Sequence, residues 1–155
     1  MKKISILYIP VIGEIKLMEI SDDLGVKNQL VKGYIEYTKF TKNDSMYMVI
    51  NEGAALKKEQ VNIRATCVAN NWQKIESSYM PTATIYGDVF IEGSQLDVET
   101  KNFQSCSVPP VGLEYLIDLC NRAEVWWGVV SKNVYNSAIY KWFLSISEKF
   151  QFDDL

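Results

Sequence analysis

The sequence predicts an α+β protein: an antiparallel sheet of two hairpins plus a closing strand with one short helix, followed by a C-terminal helical extension. The first observation is the alternation of large apolar and polar residues over 33–40 and again over 46–52, which is typical of strands with one face in a core. The polar residues 41–45 between them have the length of a hairpin turn. The second observation is that residues after Gly93 lose this alternation and later show helical spacing.

The first 33 residues predict a hairpin and a short helix. The apolar run from Ile4 to Val11 reads as a strand that Pro10 brings to an end, and residues 15–20 read as its partner across a turn at 12–14. Ser21, Asp22 and Asp23 then offer N-cap side chains, and Lys32 and Gly33 supply a C-terminal charge and a stop. Between these signals we expect about two and a half helical turns.

The middle of the chain predicts less regular structure. We expect a loop with a single helical turn over 56–65, and polar, irregular chain over 68–80 with a turn at Asn70-Asn71. Residues 82–93, rich in β-branched and aromatic side chains, predict a strong strand. Gly87 inside this strand indicates a bulge or a close backbone contact.

The C-terminal third is interpreted as a helical extension. Residues 94–107 are polar and resemble a linker, and Pro109-Pro110 then precede a helix. Its apolar face has the spacing i, i+3, i+4, i+7 and consists of Leu113, Leu116, Ile117 and Cys120. Residues 125–130 predict a short buried strand or a packed connector, and a last helix is expected over 132–150. The domains are therefore predicted as a core over 1–93 and a helical extension over 94–155 that packs on it.

Composition narrows the classes of function. The chain has 155 residues, of which 48% are hydrophobic and 23% charged, with a formal net charge of -3 and no histidine. The lack of histidine excludes Ser-His-Asp and Cys-His nucleophile systems and His-ligated zinc. The three cysteines lack CxxC spacing, so we expect reduced thiols. We therefore predict no catalytic residue, no metal site and no cofactor.

The same composition bears on partners and location. Only two arginines are present, Arg64 and Arg122, so a basic face for direct binding of nucleic acid is not expected. No apolar run approaches the roughly 20 residues that span a bilayer. The N-terminal residues read as a first strand rather than a signal peptide. We therefore expect no membrane contact and a cytoplasmic protein.

Four short motifs resemble a known family. The segment GYIE (33–36), a strand ending in Asn51-Glu52, the run Asn62-x-Arg64-Ala65-Thr66 and the triplet 87–89 (Gly-Asp-Val) resemble the phage and mobile-element family called domain of unknown function 3846. The similarity covers about residues 1–93, and it does not extend to the 67–82 insertion or to the tail after Gly93. The resemblance implies a compact α+β domain carried by bacteriophages and plasmids, with no established activity, cofactor or catalytic residue.

Such small phage proteins often bind and block a host protein, commonly one of a defence system. The leading hypothesis is therefore a non-catalytic accessory protein that inhibits a bacterial defence protein in the cytoplasm of the host cell. A second hypothesis is a protein that binds and sequesters a nucleotide signal. A third, the least favoured, is an enzyme that uses Glu52 or Asp88 with a metal.

The candidate ligand-binding residues follow from the expected sheet. Four polar residues could converge at one end of the sheet around a small polar ligand: Asn51, Glu52, Asn62 and Arg64. Asp88, beside Gly87, could be a metal or ligand carboxylate. The structural alternative is that Arg64 and Glu52 form a pair that fixes the loop after the second hairpin. Asp88 could equally cap a turn or face solvent. Tyrosine rings could stack a nucleotide base or simply pack at the edge of the core, and they are Tyr34, Tyr37, Tyr47 and Tyr79.

The candidate interaction surface lies in the extension. Its aromatic residues are Trp126, Trp127, Tyr135, Tyr140, Trp142 and Phe143. Consecutive tryptophans in a strand face opposite ways, so only one of Trp126 and Trp127 can enter the same core. The other needs cover from the last helix, from a second subunit in a homo-oligomer, or from a partner protein.

Overall fold

The computed structural model describes residues 2–39, 45–76 and 84–127, and this part of the chain is an antiparallel sheet with helices on both faces. The α+β prediction is confirmed. In chain order the elements are β1 (Lys3–Ile9), β2 (Lys16–Ser21), α1 (Leu24–Val31), β3 (Ile35–Lys39), β4 (Met46–Asn51), α2 (Ile63–Glu76), β5 (Val89–Leu96), β6 (Phe103–Cys106) and α3 (Pro110–Trp127).

The strand order is β2-β1-β5-β4-β3, and every pair is antiparallel. The two hairpins, β1–β2 and β3–β4, are those that the alternating patterns predict. The closing strand β5 joins them, because Ile91 pairs with Leu7 of β1 on one side and with Met48 of β4 on the other. β6 pairs with the far half of β5, where Ser94 lies opposite Ser105.

The two faces of the sheet bury different apolar clusters, because successive strand residues point to opposite sides. One face packs against α2 and α3. Its core includes Leu7, Ile9, Met48, Val89 and Ile91 from the strands and Ala65, Val68, Leu116, Leu119 and Cys120 from the helices. The other face, called the α1 face below, buries Ile4, Ile6, Ile20, Val49 and Phe90 against Val31. The sheet is thus the middle of three layers.

The caps of α1 are those the sequence predicts. The Asp23 carboxylate accepts a hydrogen bond from the Gly25 amide at 2.9 Å, as an N-cap residue does. At the other end Lys32 adopts the left-handed conformation, with φ of 62°, and its N–H bonds back to the helix. Gly33 follows because a Cβ there would come within 2.6 Å of the Asn51 amide nitrogen.

Three predictions of irregular or extended chain are wrong. The chain over 68–76, including the expected turn at Asn70-Asn71, belongs to α2. Its first half buries Ile63, Ala65, Val68 and Ala69. This burial outweighs the modest helix propensity of the asparagines, since tertiary packing supplies most of the stability of a protein helix. The loop predicted over 56–65 does contain a helical turn, but α2 already begins at Ile63.

The linker predicted over 94–107 is also wrong, because this stretch completes β5 and forms β6. Most of its side chains are exposed, as in a hairpin at the edge of a sheet, and the turn closes where the Asp97 amide donates to the Asn102 carbonyl at 2.8 Å. The proposed domain boundary at Gly93 falls within β5.

The third error is the short strand or packed connector predicted over 125–130: residues 125–127 continue α3, and 128–130 lie outside the described residues. The predicted helix over 110–120 is confirmed. The last helix expected over 132–150 lies outside the described residues. The strand predicted over 82–93 begins only at Val89, and Tyr86 forms an isolated bridge with Val61.

Candidate functional sites

The five predicted ligand-binding residues all lie at or next to one end of the sheet. Antiparallel pairing brings the last residues of β1 and β4 and the first residues of β5 to that end. Asn51 is the last residue of β4, Asp88 precedes β5, and Asn62 bonds to both β1 and the chain before β5. These residues therefore share one end of the sheet, and their role in binding a ligand stays a prediction.

Asn62 connects the sheet to α2. Its side-chain amide donates to the carbonyls of Ile9 at 2.8 Å and Gly87 at 2.9 Å. Its carbonyl oxygen accepts from the Ala65 N–H at 3.0 Å, which is the bond of an N-cap residue. Asn62 is completely buried, so its hydrogen-bonding groups act within the protein.

Arg64 and Glu52 have different surroundings. Arg64 is fully enclosed, and its guanidinium donates to the carbonyl of Pro10, just after β1. Glu52 is exposed after β4. Asn51 fastens the end of α1, because its amide donates at 3.2 Å to the carbonyls of Val31 and Lys32. These bonds favour structural roles for Asn51 and Arg64.

Asp88 ties the chain after β1 to the end of α1. One carboxylate oxygen accepts from the Val11 N–H at 2.8 Å, and the other pairs with the Lys32 ammonium at 3.0 Å. Burial, with a smaller contribution from the Asp88 carboxylate, raises the pKa of Tyr8. The contact with Asp88 raises the pKa of Lys32.

A cavity of about 330 Å³ opens beside this cluster and is lined by Val11, Ile12, Lys32, Glu59, Gln60, Gly87 and Asp88. Gly87 has φ of 75°, and a Cβ at that position would collide with the Glu59 carboxylate. Gly87 precedes β5, and its close neighbour is the Glu59 side chain, so the bulge or close backbone contact predicted inside the strand differs from what the structure shows. Because Asp88 already accepts from Val11 and Lys32, its contacts resemble a clamp more than an open ligand site.

A second site, which the sequence reasoning missed, lies on the α1 face. Part of this face beyond α1 leaves large apolar side chains half exposed: Tyr37 at 45%, Leu96 at 50% and Phe103 at 52%. The rings of Tyr37 and Tyr47 meet edge to face, with centroids 6.1 Å apart. They border a cavity of about 340 Å³, the sheet-face groove, which is lined by Tyr37, Tyr47, Glu92, Gly93, Ser94, Phe103, Gln104 and Ser105.

A buried ion pair lies at the base of the sheet-face groove. Lys27 and Glu92 are only 3% and 1% exposed, and the Lys27 ammonium lies 2.9 Å from a Glu92 carboxylate oxygen. The same ammonium lies 2.9 Å from the Asp22 carboxylate, and it also donates to the Ser105 hydroxyl at 3.1 Å and the Tyr37 hydroxyl at 3.3 Å. The Ser105 hydroxyl donates to the other oxygen of Glu92 at 3.1 Å. The network thus joins α1, β3, β5 and β6.

The charge state of Lys27 follows from this geometry. Burial alone lowers the pKa of an ammonium, but the hydrogen bonds to Glu92 and Asp22 outweigh it and raise the pKa of Lys27 well above its usual value. An ammonium has no lone pair with which to take a proton from Ser105. The contact between Lys27 and Ser105 is therefore not that of a general base with a nucleophile.

A sequence signal for this network exists. Glu92 continues the apolar run Val89-Phe90-Ile91, and a carboxylate in a buried strand needs a cationic partner. Lys27 lies in the segment between the cap residues that predict α1. Neither residue forms a motif with the other, since 65 positions separate them.

Only two residues of the predicted aromatic interaction surface, Trp126 and Trp127, lie in the part of the chain that the structure describes. Trp126 and Trp127 are consecutive positions of α3, roughly 100° apart around its axis, instead of opposite sides of a strand. The remaining members, Tyr135, Tyr140, Trp142 and Phe143, lie outside the described residues, as does Tyr79. Of the candidate stacking tyrosines, Tyr37 and Tyr47 line the sheet-face groove, and Tyr34 is exposed.

Three further observations concern metal binding, the cysteines and membrane-spanning helices. The described residues hold no group of three or more His, Cys, Asp or Glu placed to bind a metal ion. Cys67, Cys106 and Cys120 are thiols, and burial raises the pKa of Cys106. No helix in residues 2–39, 45–76 and 84–127 combines the length and the apolar character needed to cross a bilayer.

No family model, no curated protein and no solved structure matches the chain.

Proposed function

We propose that this protein is a small non-catalytic accessory protein of a phage or mobile element that binds and inhibits a bacterial defence protein in the host cytoplasm. The contact surface in this proposal is the sheet-face groove. The observation that carries it is the pair of half-exposed rings, Tyr37 and Phe103, that line a cavity of about 340 Å³. Aromatic side chains beside a pocket are the commonest anchors of protein interfaces.

The groove is held in shape before any partner arrives. The Tyr37 hydroxyl is bonded to Lys27, and Lys27 is bonded in turn to Glu92 and Ser105. Groups that are already ordered lose less conformational entropy on binding, so more of the contact energy contributes to affinity. A rigid base under exposed rings therefore supports a binding role.

The phage setting rests on the resemblance of residues 1–93 to domain of unknown function 3846. Those residues supply β3, β4 and most of β5, and hence one wall of the groove. Phe103, Gln104 and Ser105 on β6 supply the other wall and come from beyond the similar part. This chain's own addition would thus set which target it binds.

The nucleotide-sequestering hypothesis has less support. Of the residues that it uses for the ligand, Asn51 and Arg64 are buried and donate to carbonyls of the protein itself, and only Glu52 is exposed. It retains Tyr37 and Tyr47, whose rings border the groove at 86° to one another. A base could stack on either ring but not between the two.

The test is a tagged pull-down from a bacterial lysate, with mass spectrometry of bound proteins and of small molecules released by denaturation. The variant Phe103→Ser removes an exposed groove wall, and Leu56→Ser is the matched control because Leu56 is exposed beyond the opposite end of β4. We expect one stoichiometric host protein with the wild type and with Leu56→Ser, and its loss with Phe103→Ser. Equal retention by both variants contradicts the groove assignment, and a released nucleotide without a bound protein supports the alternative.

A further inference from the structure

In the part of the chain that the structure describes, the sheet has three outer edges, those of β2, β3 and β6. Side chains cover two of them in part. On β3 the N–H of Ile35 points outward, and it donates to the Asn28 side chain at 3.1 Å. On β6 the carbonyl of Ser105 points outward, and it accepts from the Lys2 ammonium. Such contacts protect a strand edge against further pairing.

The outer edge of β2 has no such cover. Among the described strands, β2 pairs with β1 alone. The Asp22 N–H donates to the Lys2 carbonyl at 2.8 Å, so the even-numbered residues of β2 are those that exchange hydrogen bonds with β1. The N–H and C=O groups of Leu17 and Glu19 therefore point away from the sheet, and within the described residues no other group bonds to them. These backbone groups are called the β2 edge below.

The side chains along β2 leave this edge accessible. Leu17 is 56% exposed, and the Glu19 side chain is 63% exposed. Met18 points to the opposite face and is half-buried against the cluster of the α1 face. β2 contains no proline and its register with β1 is unbroken, so it lacks two devices that stop a strand from pairing further. A strand added here would bury more of Leu17 on one face and of Met18 on the other.

A second copy of β2 fits this edge poorly. A two-fold axis perpendicular to the sheet keeps each face on its own side, so only residues of the same parity lie opposite each other. A pairing centred on Leu17 or on Met18 puts the Glu19 carboxylate against an apolar side chain. A pairing centred on Glu19 puts two carboxylates opposite each other, which is destabilising. The charge of Glu19 therefore acts against self-pairing.

From the open backbone groups and the exposed Leu17, we propose that the β2 edge binds an extended segment of another protein by antiparallel strand addition. The segment has apolar side chains opposite Leu17 and Met18 and an uncharged residue opposite Glu19. Its residues opposite Leu17 and Glu19 pair with all the groups of the β2 edge. β2 lies at the other border of the sheet from β3 and does not line the sheet-face groove, so this contact goes beyond the proposed function.

The experiment is an NMR titration of the full-length ¹⁵N-labelled protein with the peptide acetyl-Lys-Thr-Thr-Val-Val-Thr-amide. In the antiparallel register its second threonine lies opposite Glu19 and its second valine opposite Leu17. We expect the amide signals of Leu17 and Glu19 to move downfield and their hydrogen exchange to slow, because both N–H groups gain an acceptor. The amides of Tyr37 on β3 and Phe103 on β6 should not move.

Backbone methylation of the peptide gives matched probes. N-methylation of the second threonine and the second valine removes the two N–H groups that point to β2. N-methylation of the first threonine and the first valine removes two N–H groups that point away from it. We expect the first pair of methyl groups to weaken binding at least about tenfold, and the second pair to change it by less than about twofold.

Leu17→Pro tests the same contact from the side of the protein. Proline removes the outward N–H, and β2 can accept it there because that N–H makes no bond to β1. We expect the peptide no longer to shift the Glu19 amide. Leu56→Ser replaces another exposed leucine, in the turn after β4, and should bind the peptide as the wild type does. If Leu17→Pro does not fold, the two methylated peptides still test the proposal.

Three results of the titration overturn the proposal: no shift of the Leu17 and Glu19 amides, equal binding of the two methylated peptides, or shifts at Tyr37 or Phe103 instead. A dimer in sedimentation equilibrium that Leu17→Pro dissociates would assign the β2 edge to a second copy and would also overturn it. Capture of a host protein and its loss with Phe103→Ser concern the sheet-face groove, so the two proposals stand or fall separately.

Discussion

The variant Lys27→Met tests the buried network most directly. It keeps the aliphatic length of the side chain and removes the ammonium that lies within 3.3 Å of four oxygen-bearing partners. Glu92, 1% exposed, would keep only the hydrogen bond from Ser105. Removing one partner of a buried ion pair leaves an uncompensated charge and typically costs about 3–5 kcal/mol. We expect a loss of about that size in the free energy of unfolding.

The assay is denaturant unfolding followed by tryptophan fluorescence, with Lys3→Met as the matched control. Lys3 pairs with Glu19 at 3.9 Å, but the two side chains are 65% and 63% exposed. A pair of that kind contributes less than about 1 kcal/mol. We therefore expect Lys27→Met to lower the free energy of unfolding at least threefold more than Lys3→Met.

A double-mutant cycle separates the ion pair from simple packing. The variant Lys27→Met/Glu92→Met removes both charges, so its loss should be smaller than the sum of the two single losses by about 2 kcal/mol or more. Additive losses, or a loss below about 1 kcal/mol for Lys27→Met alone, would refute the reasoning. Either result would mean that Glu92 is not held by Lys27.

Three further predictions concern Asn62, Gly93 and the dependence of Lys27 on pH. Asn62→Ala should lower the free energy of unfolding by about 2–4 kcal/mol, because two buried carbonyls and the first turn of α2 lose a hydrogen-bond partner. In the same denaturation assay the control Asn102→Ala, at an exposed position, should lower it by less than about 0.5 kcal/mol. Gly93→Ala should lower the melting temperature, measured by calorimetry, more than the control Gly25→Ala does. The reason is that a Cβ at 93 would collide with a backbone carbonyl of the loop after β6, whereas a Cβ at 25 would make only ordinary contacts. Equal decreases in melting temperature would contradict the close approach at Gly93. Folding raises the pKa of Lys27, so its contribution to stability is fully present below the unfolded pKa of about 10.4 and is lost as the pH rises above that value. The wild type should therefore lose more stability than Lys27→Met between about pH 10.4 and about pH 12, and parallel pH profiles would count against the network.

Local patterns in the sequence predicted the hairpins and two helices correctly. The β1–β2 and β3–β4 hairpins follow from short-range alternation and turn residues, and α1 and the first part of α3 from helical spacing with caps. The errors over 68–76 and 94–107 share a cause. Both stretches are polar, and their secondary structure depends on contacts with distant parts of the chain.

Of the two candidate sites, one follows from local sequence patterns and the other depends on contacts between distant parts of the chain. The end-of-sheet cluster could be predicted, because Asn51, Asn62 and Asp88 follow or precede strands whose antiparallel order can be anticipated. The sheet-face groove could not, since β6 was not predicted. Without β6 the second wall of the groove is missing, so the half-exposed position of Tyr37 beside a groove could not be predicted.

The sequence by itself determined the two hairpins and the closing strand of the sheet, where α1 begins and ends, and that histidine chemistry is excluded. Only the tertiary structure decided that Lys27 and Glu92, 65 residues apart, meet at the base of a groove. The physical reason is that strand alternation and helix caps depend on neighbours within a few residues. The partner of a buried charge, and the part of a sheet face that a helix leaves open, depend on the register of strands and the packing of layers brought together from the whole chain.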